Sequence, residues 1–238
     1  MGGGPVAAHW AALRQAVDRA CVAAGRAPAE VAILPVSKTF GAPVIREAVA
    51  LGLHRFGENK VQEIRAKAPL LADCAIEWVV IGHLQTNKAR DVARLVSEVQ
   101  SLDRWELAEA LHRRLQAQGR AIDVLVQVKT SAEESKSGLP PGELPGFLDR
   151  LRECDTLRVR GLMTVAVHSD HPDDVRGCFR QLRELRDAAE RQGHALPRLS
   201  MGMSGDFALA IAEGATEVRI GSAIFGTRAQ VLETTGFS

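Results

Sequence analysis

Short apolar runs alternate along this chain with longer segments in which apolar and polar residues mix. The run at 31–37 reads V-A-I-L-P-V-S and is followed at once by Lys38. Such a run is typical of a buried strand that delivers one polar side chain to its carboxyl end. The segment 6–24 instead repeats apolar residues every three or four positions, which is typical of a helix with one buried face. The pattern therefore predicts strands and helices in turn.

This alternation continues to the end of the chain. Strands are predicted at 31–37, 54–59, 77–82, 96–103, 123–129, 157–165, 198–204 and 217–226. Helices are predicted at 6–24, 43–51, 61–71, 86–95, 105–118, 147–154, 172–192 and 206–213. Eight strands alternating with helices favour a parallel sheet that closes into a (β/α)8 barrel of the TIM type. We predict an α/β fold with a single domain over residues 1–238, and an open, doubly wound sheet is the alternative.

The composition indicates which kinds of binding partner and which compartment to expect. The chain has 238 residues, of which 46% are hydrophobic and 25% charged, and its net charge is +1. This balance gives no reason to expect binding to nucleic acid or to a membrane surface. No apolar run approaches the roughly 20 residues of a transmembrane helix, and the start of the chain lacks the pattern of a signal peptide. We expect a cytoplasmic protein, because its cysteines are too scattered for a zinc site or a disulfide framework; they are Cys21, Cys74, Cys154 and Cys178.

Lys38 is the first candidate for chemistry. An amine at the mouth of an apolar strand can be partly desolvated, which lowers its pKa and makes it a nucleophile for an aldehyde. The alternative is a lysine that extends into solvent where its strand ends. In a barrel, function lies at the carboxyl ends of the strands. Other polar or small residues that fall at such ends are Asn59, His83, Ser204 and Gly221.

Two late segments have the composition of an anion site. Ser204 lies between glycines just before a predicted helix, and Gly221 and Ser222 follow a strand. Hydroxyl groups and the free N–H groups of such turns can bind a phosphate, although each segment alone is also typical of an ordinary turn or helix cap. Arg219 precedes Gly221 by two residues and should share its face of the strand, either toward a ligand or in a structural ion pair.

Seven motifs, in this order along the chain, resemble those of the pyridoxal phosphate homeostasis protein family, single-domain relatives of the alanine racemase N-terminal barrel. They are V-S-K-T at 36–39, F-G-E-N-K-V-Q-E at 56–63, I-G-H-L-Q-T-N-K at 81–88, S-K-S-G at 135–138, R-G-L-M at 160–163, L-S-M-G-M-S at 199–204 and V-R-I-G-S-A-I-F-G at 218–226. Ordered motifs over nearly the whole chain are far more specific than any one of them.

The resemblance implies an alanine-racemase-like barrel that binds pyridoxal 5'-phosphate (PLP) as an aldimine on Lys38. It also implies a set of cofactor-binding residues and no catalytic ones. Ser204, Gly221 and Ser222 would hold the phosphate; Asn59, Met203 and Arg219 would lie against the ring; Ser200, from the same strand as Met203, is a further candidate.

The chain departs from the family at two positions. Lys60 stands where an aromatic residue is common in the family. Phe40 stands where a second lysine often follows the lysine that binds the cofactor, here Lys38. A route of cofactor transfer that depends on a lysine at position 40 is therefore in doubt. Lys136 resembles a basic loop position that could offer a secondary PLP site, and a solvated loop lysine is the alternative.

The resemblance implies a role in intracellular PLP homeostasis without turnover, with PLP-dependent apoenzymes as partners. We expect a monomer, because no exposed apolar stripe is left over once eight helices cover the barrel. An arginine beside the pyridine nitrogen would keep that nitrogen unprotonated and weaken the ring as an electron sink. A racemase of low or narrow activity is the alternative. It would need an acid opposite the lysine, which alanine racemases take from a tyrosine; this chain has no tyrosine, and His83 is the best placed substitute.

Two further interpretations carry less weight. A phosphate-binding barrel enzyme that uses no PLP would require the ordered motifs to be accidental. The segment H-S-D-H-P-D-D at 168–174 has the residue types of a metal site, with His168 and His171 close together. A surface loop that leads into a helix explains the same residues, so we predict no metal.

Overall fold

The computed structural model describes residues 4–131, 133 and 137–226. Its strands are β1 (Ala32–Pro35), β2 (Arg55–Glu58), β3 (Glu77–Val80), β4 (Glu98–Leu102), β5 (Ile122–Gln127), β6 (Leu157–Met163), β7 (Arg198–Ser200) and β8 (Glu217–Ile220). Its α-helices are α1 (Pro5–Ala23), α2 (Ala42–Val49), α3 (Val61–Lys67), α4 (Ala89–Leu95), α5 (Trp105–Gln116), α6 (Leu144–Leu151), α7 (Pro172–Arg191), α8 (Phe207–Ala212) and α9 (Ser222–Phe225). Short 3-10 helices lie at Pro28–Glu30, Ala68–Cys74, Thr86–Lys88 and Pro141–Glu143.

The strands form one parallel ring. Their order is β1-β8-β7-β6-β5-β4-β3-β2, so every strand neighbours the next one in sequence. β1 and β2 meet at a single bridge, Val36 opposite Gly57, where the N–H of Ser37 also donates to the Gly57 carbonyl at 3.0 Å. This bridge lies at the carboxyl ends of both strands. The predicted barrel is confirmed, and the open, doubly wound sheet is wrong, since such a sheet reverses its strand order part-way.

All the predicted strands run past the observed carboxyl ends, and two of them extend furthest. The segment 198–204 is a strand only as far as Ser200, and 217–226 only as far as Ile220. Gly202 follows with a φ of 97°, a conformation that costs glycine little and other residues more, and the chain leaves the sheet there. After Gly221 the chain turns into α9. Buried apolar residues continue past both strand ends, so the apolar pattern could not reveal where the strands stop.

The interior of the barrel is polar at its amino-terminal end. Arg55 and Arg198 each donate hydrogen bonds to both Glu98 and Glu217, at 2.5–3.0 Å, and Gln100 donates to the same two carboxylates at 2.8 and 2.5 Å. These five residues are called the barrel floor below. Because both carboxylates are buried and every charge has partners of opposite sign, the floor fills the barrel with a satisfied ionic layer.

Helices cover the outside of the ring. Helix α1 packs beside α8 and α9, and Nδ1 of His9 donates to the carbonyl of Ile224 at 3.2 Å, which ties α9 to the first helix. Among the described residues, no helix combines the length and the apolarity that crossing a bilayer requires.

Candidate functional site

A cavity of about 520 Å³ opens at the carboxyl ends of the strands. It brings together seven of the eight residues predicted to bind the cofactor. Its lining residues are Val36, Lys38, Asn59, Ile81, Gly82, His83, Gln127, Ser137, Val165, Met203, Ser204, Gly205, Arg219, Gly221 and Ser222.

Lys38 enters this cavity because side chains alternate along β1 and its extension. Val36 lines the cavity, Ser37 is fully buried on the other side, and Lys38 faces the cavity again, as the two-residue period of a strand requires. The sequence pattern suggested a partly desolvated amine. The structure instead leaves Lys38 exposed, because the cavity is open toward solvent where β1 ends.

Arg219 is a buried cation without a carboxylate partner among the described residues. Its side chain lies in the barrel interior, where it donates to Ser200 Oγ at 2.8 Å and to the Thr164 carbonyl at 2.7 Å. Burial lowers the pKa of this guanidinium to about 10, although the charges of Glu217 and Asp206 oppose the shift. Arg219 therefore remains positive at neutral pH and presents that charge to the cavity wall.

Ser200 does not line the cavity, which differs from its predicted contact with the cofactor. It is fully buried beneath Arg219, accepts from that guanidinium, and donates to Gln100 Oε1 at 2.7 Å. Gln100 in turn donates to Glu98 and Glu217. Ser200 thus connects Arg219 to the barrel floor. The sequence pattern could not predict how deep Ser200 lies, because alternation assigns a residue to one face of a strand but not to a position along the barrel axis.

Small residues and hydroxyl groups form the wall beside β7 and β8. Ser204 and Ser222 bring their Oγ atoms to 3.4 Å from each other. Gly221 packs so closely on β1 that an added Cβ would lie 3.1 Å from the Val36 carbonyl oxygen. Gly202 is as confined, since its Cβ would lie 2.6 Å from that of Ala210. Larger residues at either glycine would displace this wall.

The donors of this wall fit a phosphate group. Within the described part of the chain, the backbone N–H groups of Ser204, Gly205, Ser222 and Ala223 donate to no backbone carbonyl. Together with the two serine hydroxyls they are the kind of donors that bind phosphate oxygens. The cavity also holds an amine that can react with an aldehyde and a guanidinium that can face a ring nitrogen. All three parts of PLP therefore find matching groups in one cavity.

The opposite wall comes from β2, β3 and β5. Gly82 lies so near Asn59 that its Cβ would be 2.4 Å from the Asn59 carbonyl oxygen, which brings these two strand ends together. Nδ1 of His83 lies 3.6 Å from the Asp103 carboxylate. Gln127 donates to the Ser137 carbonyl at 2.8 Å. Sequence reasoning missed Gln127, although a single amide within the strongly apolar run at 123–129 was a usable signal.

Comparison with known proteins establishes the family. Residues 9–229 match the family of the alanine racemase N-terminal domain. A pyridoxal phosphate homeostasis protein of Aquifex aeolicus is 44% identical over 213 residues, which cover 89% of this chain and 93% of that protein. The chain belongs to the pyridoxal phosphate homeostasis protein family. A member from Pseudomonas aeruginosa is 41% identical over 223 residues, covering 94% of this chain and 96% of that protein. The family predicted from the motifs is confirmed.

A solved protein structure shares the fold. PipY of Synechococcus elongatus, whose structure was determined with PLP bound, superposes with a TM-score of 0.79 at 37% identity. The match covers 88% of this chain and 99% of PipY. The resemblance therefore extends over the whole barrel rather than over one motif.

Two other predictions from the sequence concern Lys136 and the segment 168–174. Lys136 lies outside the described residues. The segment 168–174 forms the turn that begins α7: Ser169 Oγ donates to Asp174 at 2.7 Å, and the N–H of His171 donates to Ser169 Oγ at 3.0 Å. Among the described residues, no three His, Cys, Asp or Glu side chains are grouped as a metal ion would need.

Proposed function

We propose that this protein binds PLP through Lys38 and keeps it available to other proteins of the cell without turning over a substrate. The observation that carries the proposal is the joint presence in one cavity of an exposed amine, a buried guanidinium that has no carboxylate partner within the described part of the chain, and a wall of phosphate donors. The homeostasis role of the relatives supports the same function.

Each part of the cavity has a task in this proposal. When bound, the cofactor supplies an electrophilic aldehyde and an electron-withdrawing ring. Lys38 provides the amine that holds the aldehyde carbon. Ser204, Gly221 and Ser222 hold the phosphate, and Asn59 and Met203 confine the ring.

Arg219 argues against transaminase and decarboxylase chemistry, whereas racemases tolerate such an arginine. A guanidinium next to the ring nitrogen disfavours protonation of that nitrogen, so the ring withdraws electrons less strongly. Arg219 keeps its charge at neutral pH and is held in place by Ser200 and Thr164. Chemistry that depends on a strongly stabilised carbanion is therefore disfavoured.

A racemase is the second candidate, because His83 lines the same cavity as Lys38. Racemisation by two bases needs an acid on the face opposite the lysine. The chain has no tyrosine, and His83 is the ionisable side chain that could take that place.

Absorbance tests the attachment site. The purified protein loaded with PLP should be yellow, and Lys38→Ala should lose most of the visible band, because Lys38 is the lysine that lines the cavity among the described residues. Lys60→Ala is the matched control, since Lys60 is also exposed but lines a separate depression. An unchanged spectrum in Lys38→Ala would place the attachment elsewhere.

Isotope exchange tests the absence of turnover. The loaded protein is incubated with a panel of L-amino acids in heavy water, and deuterium at Cα is read by mass spectrometry. We expect no incorporation. Incorporation that disappears in both Lys38→Ala and His83→Gln would support the racemase instead.

We propose further that residues 1–238 form one domain that works as a cytoplasmic monomer and gives its cofactor to PLP-dependent apoenzymes. The single ring of strands supports one domain over the described residues. Light scattering on the eluting protein measures the mass directly. Transfer is tested by mixing the loaded protein with an apoenzyme and following the recovery of that enzyme's activity.

A further inference from the structure

A charged cluster lies behind the strand end that carries Lys38. Lys67 on α3 donates from Nζ to Glu58 Oε1 at 2.6 Å, to Glu63 Oε2 at 3.0 Å and to the backbone carbonyl of Ser37 at 2.9 Å. We call Ser37, Glu58, Glu63 and Lys67 the rear cluster. Since Lys38 faces the cavity and Ser37 faces away from it, the cluster lies on the outer side of the barrel wall, between β1, β2 and α3.

The contacts of the rear cluster converge on the two residues that flank Lys38. On one side, the carbonyl of Ser37 accepts from Lys67, and its hydroxyl donates to Glu58 at 2.7 Å. On the other side, the N–H of Thr39 donates to Glu63 Oε2 at 2.8 Å. Both peptide groups next to Lys38 are therefore held by charged side chains from α3, and Glu58 of β2 holds the Ser37 side chain.

Thr39 adopts a conformation that needs such support. Its φ is 70°, in the left-handed region that β-branched residues rarely enter. A residue held in this region keeps its conformation only when the surroundings determine it. The hydrogen bond from the Thr39 N–H to Glu63 is part of what holds the turn, and the turn decides where the chain goes after Lys38.

A gain in stability alone does not explain the rear cluster. Lys67 and Glu58 are buried, and Glu58 Oε2 has no hydrogen-bond partner within the described residues. Burial raises the pKa of Glu58 to about 7, against the opposing effects of Lys67 and Ser37. Apolar side chains of similar volume often stabilise a protein as well as a buried ion cluster does, so the cluster calls for a geometric explanation.

We propose that Glu63 and Lys67 are positioning residues for Lys38: from behind the barrel wall they fix the backbone on both sides of it, so that its amine extends into the cavity. The proposal rests on the proposed function, in which Lys38 holds the cofactor. It adds two residues that do not line the cavity and that control the reactivity of one that does.

The first test follows the reaction of Lys38 with PLP. The rate of band formation is measured by stopped-flow absorbance, and the modified lysine is identified by borohydride trapping and peptide mass spectrometry. Glu63→Ala and Lys67→Met should slow the reaction at Lys38 by about 10- to 100-fold, as expected when a reacting group is displaced by about 1 Å. Glu63→Gln should recover most of the rate, because its amide oxygen can still accept from the Thr39 N–H.

A double variant separates positioning from general damage. Thr39→Gly places at this turn the residue that adopts a positive φ most easily. Added to Glu63→Ala, it should restore a large part of the lost rate. If it restores none, the support given to Thr39 is not the reason for the effect.

Glu213→Gln is the matched control. Glu213 is a buried carboxylate that contacts Arg180 and Arg183 on the outside of the barrel, away from β1. This variant should lower the stability and leave the rate at Lys38 unchanged. If Lys67→Met fails to fold, as circular dichroism would show, Glu63→Ala remains decisive, because the Glu63 side chain is partly exposed.

The outcomes are distinct. Wild-type rates at Lys38 in folded Glu63→Ala and Lys67→Met would overturn the positioning proposal and leave the proposed function intact. Trapping at another lysine in the wild-type protein would instead overturn the proposed function.

Discussion

Buried arginines have opposite environments at the two ends of the barrel. One end is the floor, and the other is the cavity at the carboxyl ends of the strands, called the mouth below. At the floor, Arg55 and Arg198 each contact both Glu98 and Glu217. Burial lowers the pKa of Arg198, but its hydrogen bonds to Glu98 and the charge of Glu217 outweigh burial and raise it. At the mouth, Arg219 has only neutral hydrogen-bond partners among the described residues, and burial lowers its pKa to about 10.

The contrast is clearest within β8. Glu217 and Arg219 are two residues apart on the same interior face, yet Glu217 is saturated by two arginines and Arg219 contacts no carboxylate among the residues that the structure describes. A satisfied layer holds the strands together, whereas a cation with spare hydrogen-bonding capacity is available to a ligand. The amino-terminal end of this barrel therefore serves stability and the carboxyl-terminal end serves binding, as is general for this fold.

Breaking the floor should have the largest effect. Glu217→Gln leaves Arg55 and Arg198 with one carboxylate between them, in a buried site. We expect the free energy of unfolding, measured with urea, to fall by about 3–5 kcal/mol.

Asp123→Asn is the control for this variant. Asp123 contacts Arg158 and Arg160 at 2.6 and 3.3 Å, but both arginines are well exposed. Its loss should cost about 1 kcal/mol or less. Equal losses in the two variants would mean that burial adds nothing to the floor.

The pH dependence of stability should also differ between the two ends, because the pKa values of their carboxyl groups shift in opposite directions. Burial raises the pKa of Glu58, beside the mouth, to about 7. Its contribution to stability is therefore full below its ordinary pKa near 4.5 and is lost as the pH rises through 7. The stability of the wild type relative to Glu58→Gln should fall by about 2–3 kcal/mol between pH 5 and pH 8.

Glu217 gives the opposite slope. Burial would raise its pKa, but the charges of Arg55 and Arg198 outweigh burial and lower it. Its contribution is therefore full above its ordinary pKa and is lost as the pH falls toward the lowered value. Urea unfolding of the wild type and both variants from pH 8 down to about pH 3 measures both slopes, the Glu58 slope between pH 5 and pH 8 and the Glu217 slope below its ordinary pKa, and parallel slopes would contradict the comparison.

Removing the link between the floor and the mouth should lower the free energy of unfolding by a smaller amount. Ser200→Ala leaves Arg219 without one acceptor and Gln100 Oε1 without its donor. We expect a loss of about 1–2 kcal/mol in the free energy of unfolding. Ser101→Ala is the matched control, because Ser101 is equally buried and its hydroxyl has no partner within the described residues. Equal losses would show that the hydrogen bonds of Ser200 contribute nothing.

The sequence predicted the mouth better than the floor, for a physical reason. A polar residue that ends an apolar run, such as Lys38, marks the carboxyl end of its strand, and those ends meet in a barrel. Arg55 and Glu98 begin their strands, where charged residues are common on any surface. Only the ring order brings their side chains to one layer. Lys67 likewise had the pattern of an exposed helix residue, and nothing local shows that it reaches the strand behind Lys38.

The smallest expected change in stability belongs to Arg219→Met. Removing this guanidinium relieves the burial of a charge that has no carboxylate partner in the described ranges, but it also leaves Ser200 and the Thr164 carbonyl without their donor. The two effects oppose each other, so the free energy of unfolding should stay within about 1 kcal/mol of the wild type. Arg198→Met, an identical substitution at the floor, should lose about 3–5 kcal/mol.

Arg219→Met should nevertheless alter the bound cofactor. Without a neighbouring cation, the ring nitrogen can take up a proton more easily. The pH dependence of the visible band should therefore change in this variant, and Arg198→Met should leave it as in the wild type. A variant at position 219 that loses stability as Arg198→Met does and keeps the wild-type pH dependence would place Arg219 with the floor. The division of the barrel into a stabilising end and a binding end depends on that result.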